Sequence, residues 1–158
     1  MSFTINVKGK DLEIKFNYRL MFKVNKEMSS LDDQGRRQEN GAGQLFLDIV
    51  ERKDSAVHNL IRIAYGSKKI TDDEILDAVG DYAEEHGYDE MFDEIEGELL
   101  DSGFFLPKIK KTIEDMKFGK ELLSDSEKEE QKTQVKAIDA MLNKLQKRIS
   151  YHNVPDMD

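Results

Sequence analysis

Few side chains in this sequence have the type and spacing needed for covalent or metal chemistry. It contains no cysteine, which excludes disulfides, thiolate ligands and cysteine nucleophiles. Its three histidines, His58, His86 and His152, lie far apart and form no His-x-x-x-His pair. His58 is the best candidate for a general base, but no Gly-x-Ser-x-Gly elbow accompanies it, and its neighbours Leu60 and Ile61 favour packing over catalysis. We therefore expect no catalytic residue, no metal site and no cofactor.

Acidic residues and glycines are numerous, but their spacing does not match known ligand-binding loops. The segment DEMFDEIEGELL, starting at Asp89, has Met91 and Glu94 where a calcium loop requires an oxygen ligand and a glycine. Gly41 and Gly43 match only two positions of a phosphate-binding glycine loop. The carboxylates fall opposite the apolar stripes of helical segments, where burial cannot raise a pKa. Their pattern predicts acidic helix faces in contact with water.

Charge is distributed unevenly along a chain whose formal net charge is -9. Residues 70–101 contain 14 Asp and Glu and no Lys or Arg, whereas residues 1–69 contain 13 Lys and Arg against 9 acidic residues. Such a field repels nucleic acid over the acidic third and attracts a basic partner surface. The acidic residues that we expect to steer such a partner are Asp89, Asp93 and Glu96.

The positions of apolar residues predict a mainly α fold. Residues 3–7 and 12–16 alternate apolar and polar side chains around Gly9, which is typical of a β-hairpin. The period then changes to that of helices, and about five to six short amphipathic helices follow before a C-terminal helix. The ranges expected to be helical are 18–28, 44–50, 56–65, 71–86, 91–102 and 104–116. The polar segment 29–43 is predicted to be a mobile loop.

Several residue types mark the ends of these helices. Thr71 and Glu74 have the spacing of a capping box, and Gly66 is placed to end the preceding helix. Asp54 or Ser55 is expected to cap the helix over residues 56–65. Pro107 is compatible with the first turn of its helix.

The C-terminal part differs from the rest. Residues 119–133 are polar enough for a linker or a solvated helix, and residues 134–150 form a helix with a heptad-like apolar stripe. That stripe consists of Val135, Ile138, Leu142, Leu145 and Ile149. We expect one domain over residues 1–118, and a frayed tail over residues 151–158. For the apolar stripes before residue 120, internal packing is favoured over partner binding; for the C-terminal stripe both alternatives stay open.

No apolar run approaches the roughly 20 residues that cross a bilayer, and the first 16 residues lack the features of a signal peptide. We therefore expect a protein that stays inside the cell without contacting a membrane. With catalytic, metal and membrane roles excluded, the remaining feature is a set of amphipathic helices without reactive groups. The apolar faces of such helices bind protein. Candidate partner contacts are the C-terminal stripe and the three acidic residues named above.

Three segments, TINVKGKDLEIKFNYR, LMFKVNKEM and IRIAYGSKKITDDEILDAVGDYAE, occur here in the order hairpin, helix, helices. In this order the chain resembles the tail assembly chaperones of long-tailed (siphovirus) phages that infect Gram-positive hosts. The resemblance covers residues 1 to about 118. It rests on a pattern of apolar positions and includes no catalytic signature.

The resemblance implies a non-enzymatic protein that coats the tape-measure protein in the host cytoplasm before the tail tube polymerises. It also implies absence from the mature virion and, for the frameshifted longer form that occurs in the family beside a short form, a second partner in the major tail protein. Homo-oligomers along the tape-measure chain are a further hypothesis. Two alternatives stay open. The acidic segment could mimic DNA and inhibit a host nuclease or DNA-binding protein, or the chain could be a structural head-tail connector.

Overall fold

The structure is a computed structural model that describes residues 2–152. In this range a two-stranded antiparallel hairpin precedes seven helices, so the expected mainly α fold is confirmed. The elements are β1 (Ser2–Val7), β2 (Lys10–Lys15), α1 (Tyr18–Glu27), α2 (Gly41–Val50), α3 (Asp54–Tyr65), α4 (Asp72–His86), α5 (Tyr88–Asp101), α6 (Leu106–Leu123) and α7 (Glu129–His152).

The hairpin has the predicted alternation of buried and exposed side chains and the predicted turn at Gly9. Phe3 pairs with Ile14, and both side chains point into the core. The two turn residues, Lys8 and Gly9, have φ values of 55° and 79°, as a two-residue hairpin loop requires. A lone hairpin is marginally stable in water. It packs here against α4, where the ring centroid of Phe3 lies 4.9 Å from that of Tyr82.

The helix ends predicted between α3 and α4 are confirmed. The hydroxyl of Thr71 accepts from the Glu74 amide at 3.2 Å, and the Glu74 carboxylate accepts from the Thr71 amide at 2.9 Å. Gly66 ends α3 with a φ of +111°, a conformation that favours glycine. The expected cap of α3 is wrong, because Asp54 already lies inside the helix and Lys53 precedes it without a capping side chain.

The start of α2 differs from the sequence prediction. Residues 41–43 belong to the helix, and residues 29–40 form a turn with a bridge between Leu31 and Arg37. Gly41 packs on the backbone of α1, where an added Cβ would lie 2.9 Å from the carbonyl oxygen of Asn25. The Asn25 side chain also accepts from the Ala42 amide at 3.2 Å. This contact with α1 selects helix where the glycine-rich sequence alone favours a loop.

Residues 119–133, for which a linker and a solvated helix were the two alternatives, are mostly helical. α6 continues through Leu123, α7 begins at Glu129, and only residues 124–128 between them lie outside a helix. Of the tail expected to be frayed, Tyr151 and His152 belong to α7, and residues 153–158 lie outside the described residues.

One cluster of buried apolar side chains joins the hairpin and all seven helices. α7 contributes Leu142 and Leu145 to it, and packs on α6 and α5. The division of the chain into a 1–118 domain and a separate C-terminal helix over residues 134–150 stays a prediction.

Candidate partner-binding surfaces

The predicted C-terminal stripe lies along one face of α7, and its members differ in exposure. Leu142 is 6% exposed and Leu145 is 0% exposed, so both are covered by the chain itself. Val135, Ile138 and Ile149 are half-buried. As long as α7 is docked, the stripe offers a partner only these half-buried side chains. A contact through the two leucines stays a prediction, and it requires α7 to move.

The predicted acidic residues meet a basic side chain of α7. The Nε of Arg148 donates to Glu96 at 3.0 Å, and its Nη2 donates to Asp93 at 2.9 Å. Partial burial works against the guanidinium charge, but the hydrogen bonds and charges of Glu96 and Asp93 prevail, so the pKa of Arg148 is raised. Glu96 is only 8% exposed, and Arg148 supplies its countercharge.

Two further basic side chains follow the same face of α7. Lys144 donates to Glu51 at 3.2 Å, and the Nε2 of His152 lies 2.7 Å from a carboxylate oxygen of Asp101. Lys144, Arg148 and His152 are spaced by four residues, so they form one basic row along the helix. We name these three residues the basic row of α7.

Asp89 and Asp93 also contact a basic residue that sequence reasoning did not connect with them. The Nε of Arg52 lies 3.8 Å from Asp89, and its guanidinium forms an ion pair with Asp93. Arg52 comes from the α2–α3 connection, so its distance in sequence concealed the contact. Of the three predicted steering residues, Asp89 remains the most exposed.

An exposed aromatic cluster was missed by the sequence analysis. Tyr18, Phe22 and Phe104 are 57%, 52% and 48% exposed, respectively. The Tyr18 ring centroid lies 6.3 Å from that of Phe22 and 5.9 Å from that of Phe104. We name these three residues the aromatic cluster. The four-residue spacing of Tyr18 and Phe22, off the buried face of α1, was a signal for part of it. Phe104 belongs to the range 104–116, whose apolar residues were expected to pack internally, and its exposure corrects that expectation.

A buried serine positions Phe104. The hydroxyl of Ser102 donates to the carbonyl of Phe16 at 2.7 Å and accepts from the amides of Phe104 and Phe105, both at 3.2 Å. Phe105 is thereby directed into the core, where its ring lies 5.7 Å from that of Phe16, and Phe104 is left at the surface.

An open cleft of about 420 Å³ lies beside Phe104. Its lining includes the carboxylates of Glu98 and Asp101 and the backbone around Phe16. Burial raises the pKa of Glu98, so the expectation that burial raises no carboxylate pKa in this segment is wrong at this position. The cleft therefore places the apolar side chain of Phe104 next to the acidic residues Glu98 and Asp101.

Within residues 2–152, no group of three or more His, Asp or Glu side chains is arranged to hold a metal ion. None of the helices in this range is long and apolar enough to cross a membrane.

The sequence profile of a family described as phage tail assembly chaperone protein, TAC, matches residues 4–117. The chain belongs to this family. The match spans the hairpin, α1 to α5 and most of α6, and therefore includes the whole aromatic cluster. It ends before α7. No curated protein and no solved structure matches the chain significantly. Membership in the tail assembly chaperone family implies partners among phage tail proteins.

Proposed function

We propose that this tail assembly chaperone binds the tape-measure protein and shields it in the host cytoplasm until the tail tube polymerises. In this function the chain catalyses no reaction, is absent from the mature virion, and assembles as several copies along the tape-measure chain. Recruitment of the major tail protein is part of the same hypothesis. Support comes from the family, whose partners are phage tail proteins, and from an exposed apolar surface within the matched residues.

The aromatic cluster is the observation that carries this function. Monomeric proteins rarely expose adjacent large apolar side chains without a binding role, and aromatic residues contribute strongly to protein interfaces. Tyr18 and Phe22 lie on a helix, and Phe104 lies on a connection anchored by Ser102, so the three rings are presented by rigid elements. A helix with an apolar stripe, as expected of a tape-measure protein, fits such a surface.

The test replaces two of these rings with charged side chains. A Phe22→Glu/Phe104→Glu double variant is co-expressed with the tape-measure protein, and the amount that co-purifies is measured. We expect at least a tenfold loss, because a charged side chain in an apolar interface loses its water without gaining a partner. Stability should change by only about 0.5 kcal/mol per site, since both rings are exposed.

Leu76→Glu is the matched control, because Leu76 is 52% exposed on α4 and lies outside the cluster. It should retain the tape-measure protein like the wild type. A double variant that is folded and still retains the wild-type amount would rule out the cluster as the contact. Detection of the chain in purified, infectious particles would contradict a transient chaperone and favour a head-tail connector.

The structure offers little to favour a DNA mimic. Six carboxylates of the acidic segment form ion pairs with Lys, Arg or His side chains from outside that segment. They are Asp72, Glu74, Asp89, Asp93, Glu96 and Asp101. Mimicry requires unpaired charges spaced like phosphates on one surface. Competition with DNA for a host nuclease remains the direct assay of this second candidate.

A further inference from the structure

α7 covers a surface formed mostly by residues within the family match, although α7 itself lies outside that match. It packs on α6 and α5, and its basic row reaches Glu51 at the end of α2. α5, Glu51 and the first two thirds of α6 fall within residues 4–117, whereas the end of α6 and all of α7 lie beyond them. The family match therefore includes most of the surface that α7 covers but does not include α7 itself.

We propose that this surface is a binding site for an amphipathic helix of another phage tail protein, and that α7 competes with that helix for it. The helix carries the same recognition face as α7, Leu-x-x-Leu-x-x-Arg, here Leu142, Leu145 and Arg148. The identity of the incoming helix as part of a tail protein rests on the proposed function. The site itself does not depend on it.

The charge of the site determines which helix it accepts. Glu96 is nearly buried, and a carboxylate in that position is strongly destabilising unless a cation accompanies it. Arg148 provides that cation in the structure. Any helix that replaces α7 must therefore carry a basic residue three positions after its second leucine. Asp93, Asp101 and Glu51 extend the same preference along the helix.

The attachment of α7 is small for its length. Only Leu142 and Leu145 are buried among its 24 residues, and the half that precedes Ile138 is exposed or half-buried. Residues 124–128 connect it to α6 without helical structure. α7 can thus leave the surface by a local opening that leaves the hairpin and α1 to α5 folded.

A binding assay with a defined probe tests the site without any other phage protein. The probe is a fluorescent peptide of residues 129–152, and the receptor is the full chain, as wild type or as a Leu142→Ala/Arg148→Ala variant. In the wild type the tethered α7 occupies the site at a high effective concentration. Weakening it should strengthen peptide binding by roughly 100-fold, measured by fluorescence anisotropy.

Two controls address recognition and folding. A peptide with Arg148→Glu should lose binding to the variant chain, since it places two carboxylates together at Glu96. Circular dichroism must show that the variant retains its helices. A second, milder receptor with Lys144→Ala and His152→Ala changes only surface ion pairs, and it should also bind the peptide more tightly than the wild type does.

The outcomes separate the site from the proposed function. If both receptors are folded and bind the peptide no better than the wild type, no competing site exists. If the receptors instead form concentration-dependent dimers by exchanging α7, the site takes a second copy of this chain and not a foreign helix. Because no tape-measure protein is present, failure here leaves the aromatic-cluster test unaffected, and failure of that test leaves this site standing.

Discussion

Replacing Leu145 by alanine measures how firmly α7 is bound to the rest of the fold. Leu145 is completely buried in the common apolar cluster. Substitutions of this kind cost about 2–5 kcal/mol, depending on how far the surroundings close over the lost volume. α7 lies at the edge of the fold and can settle partly into the space, so we expect a loss of about 3 kcal/mol.

Urea and thermal denaturation of the full chain provide the measurement. For a protein of this size a loss of about 3 kcal/mol lowers the Tm by about 6–12 °C if the whole chain unfolds together. Amide hydrogen exchange measures opening at individual residues. If faster exchange is confined to the amides of α7 and the global transition is unchanged, α7 opens as a unit of its own.

Leu76→Ala is the control for this experiment, because Leu76 is half exposed and its truncation should change stability by only about 0.5 kcal/mol. The reasoning is refuted if Leu145→Ala leaves both the denaturation curve and the exchange of α7 at wild-type values. In that case α7 does not dock in solution, and the stripe on it is free to contact a partner directly.

Two further substitutions test other parts of the fold. Gly41→Ala should destabilise the chain by about 1–3 kcal/mol in urea denaturation, since its Cβ meets the α1 backbone, whereas Gly80→Ala, with open space around it, should gain up to about 1 kcal/mol in helix propensity. Equal effects at the two glycines would contradict the close approach of α1 and α2. Burial raises the pKa of Glu98, so its contribution to stability is present below the ordinary pKa of 4.5 and is lost as pH rises through the folded value. Glu98→Gln should therefore stabilise the chain at pH 7 and not below that pKa, and a pH-independent difference would show that Glu98 is not responsible.

Local features of the sequence predicted much of the fold because their causes are local. The hairpin follows from alternation around Gly9, and the start of α4 follows from the reciprocal bonds of Thr71 and Glu74. The start of α2 could not be obtained in this way. Gly41 has a low helix propensity, and only its contact with α1, 13 residues or more earlier in sequence, favours the helical state.

The surfaces were harder to predict than the elements, because they depend on which segments meet. Periodicity identified Leu142 and Leu145 as one stripe, but it does not show whether the chain or a partner covers that stripe. The decisive contact, Arg148 with Glu96, joins residues 52 positions apart. Internal packing was expected for the apolar residues of 104–116, but of the pair Phe104 and Phe105 only Phe105 is buried, and the hydrogen bonds of Ser102 determine which ring faces water.

The link from Ser102 to Phe16 determines when the aromatic cluster can form during synthesis. Tyr18 and Phe22 leave the ribosome early, but Phe104 joins them only after α5 has emerged and Ser102 has reached the end of the hairpin. A nascent chain that ends before Ser102 therefore lacks a complete aromatic cluster, because Phe104 has not yet been added and no serine hydroxyl links the end of α5 to Phe16.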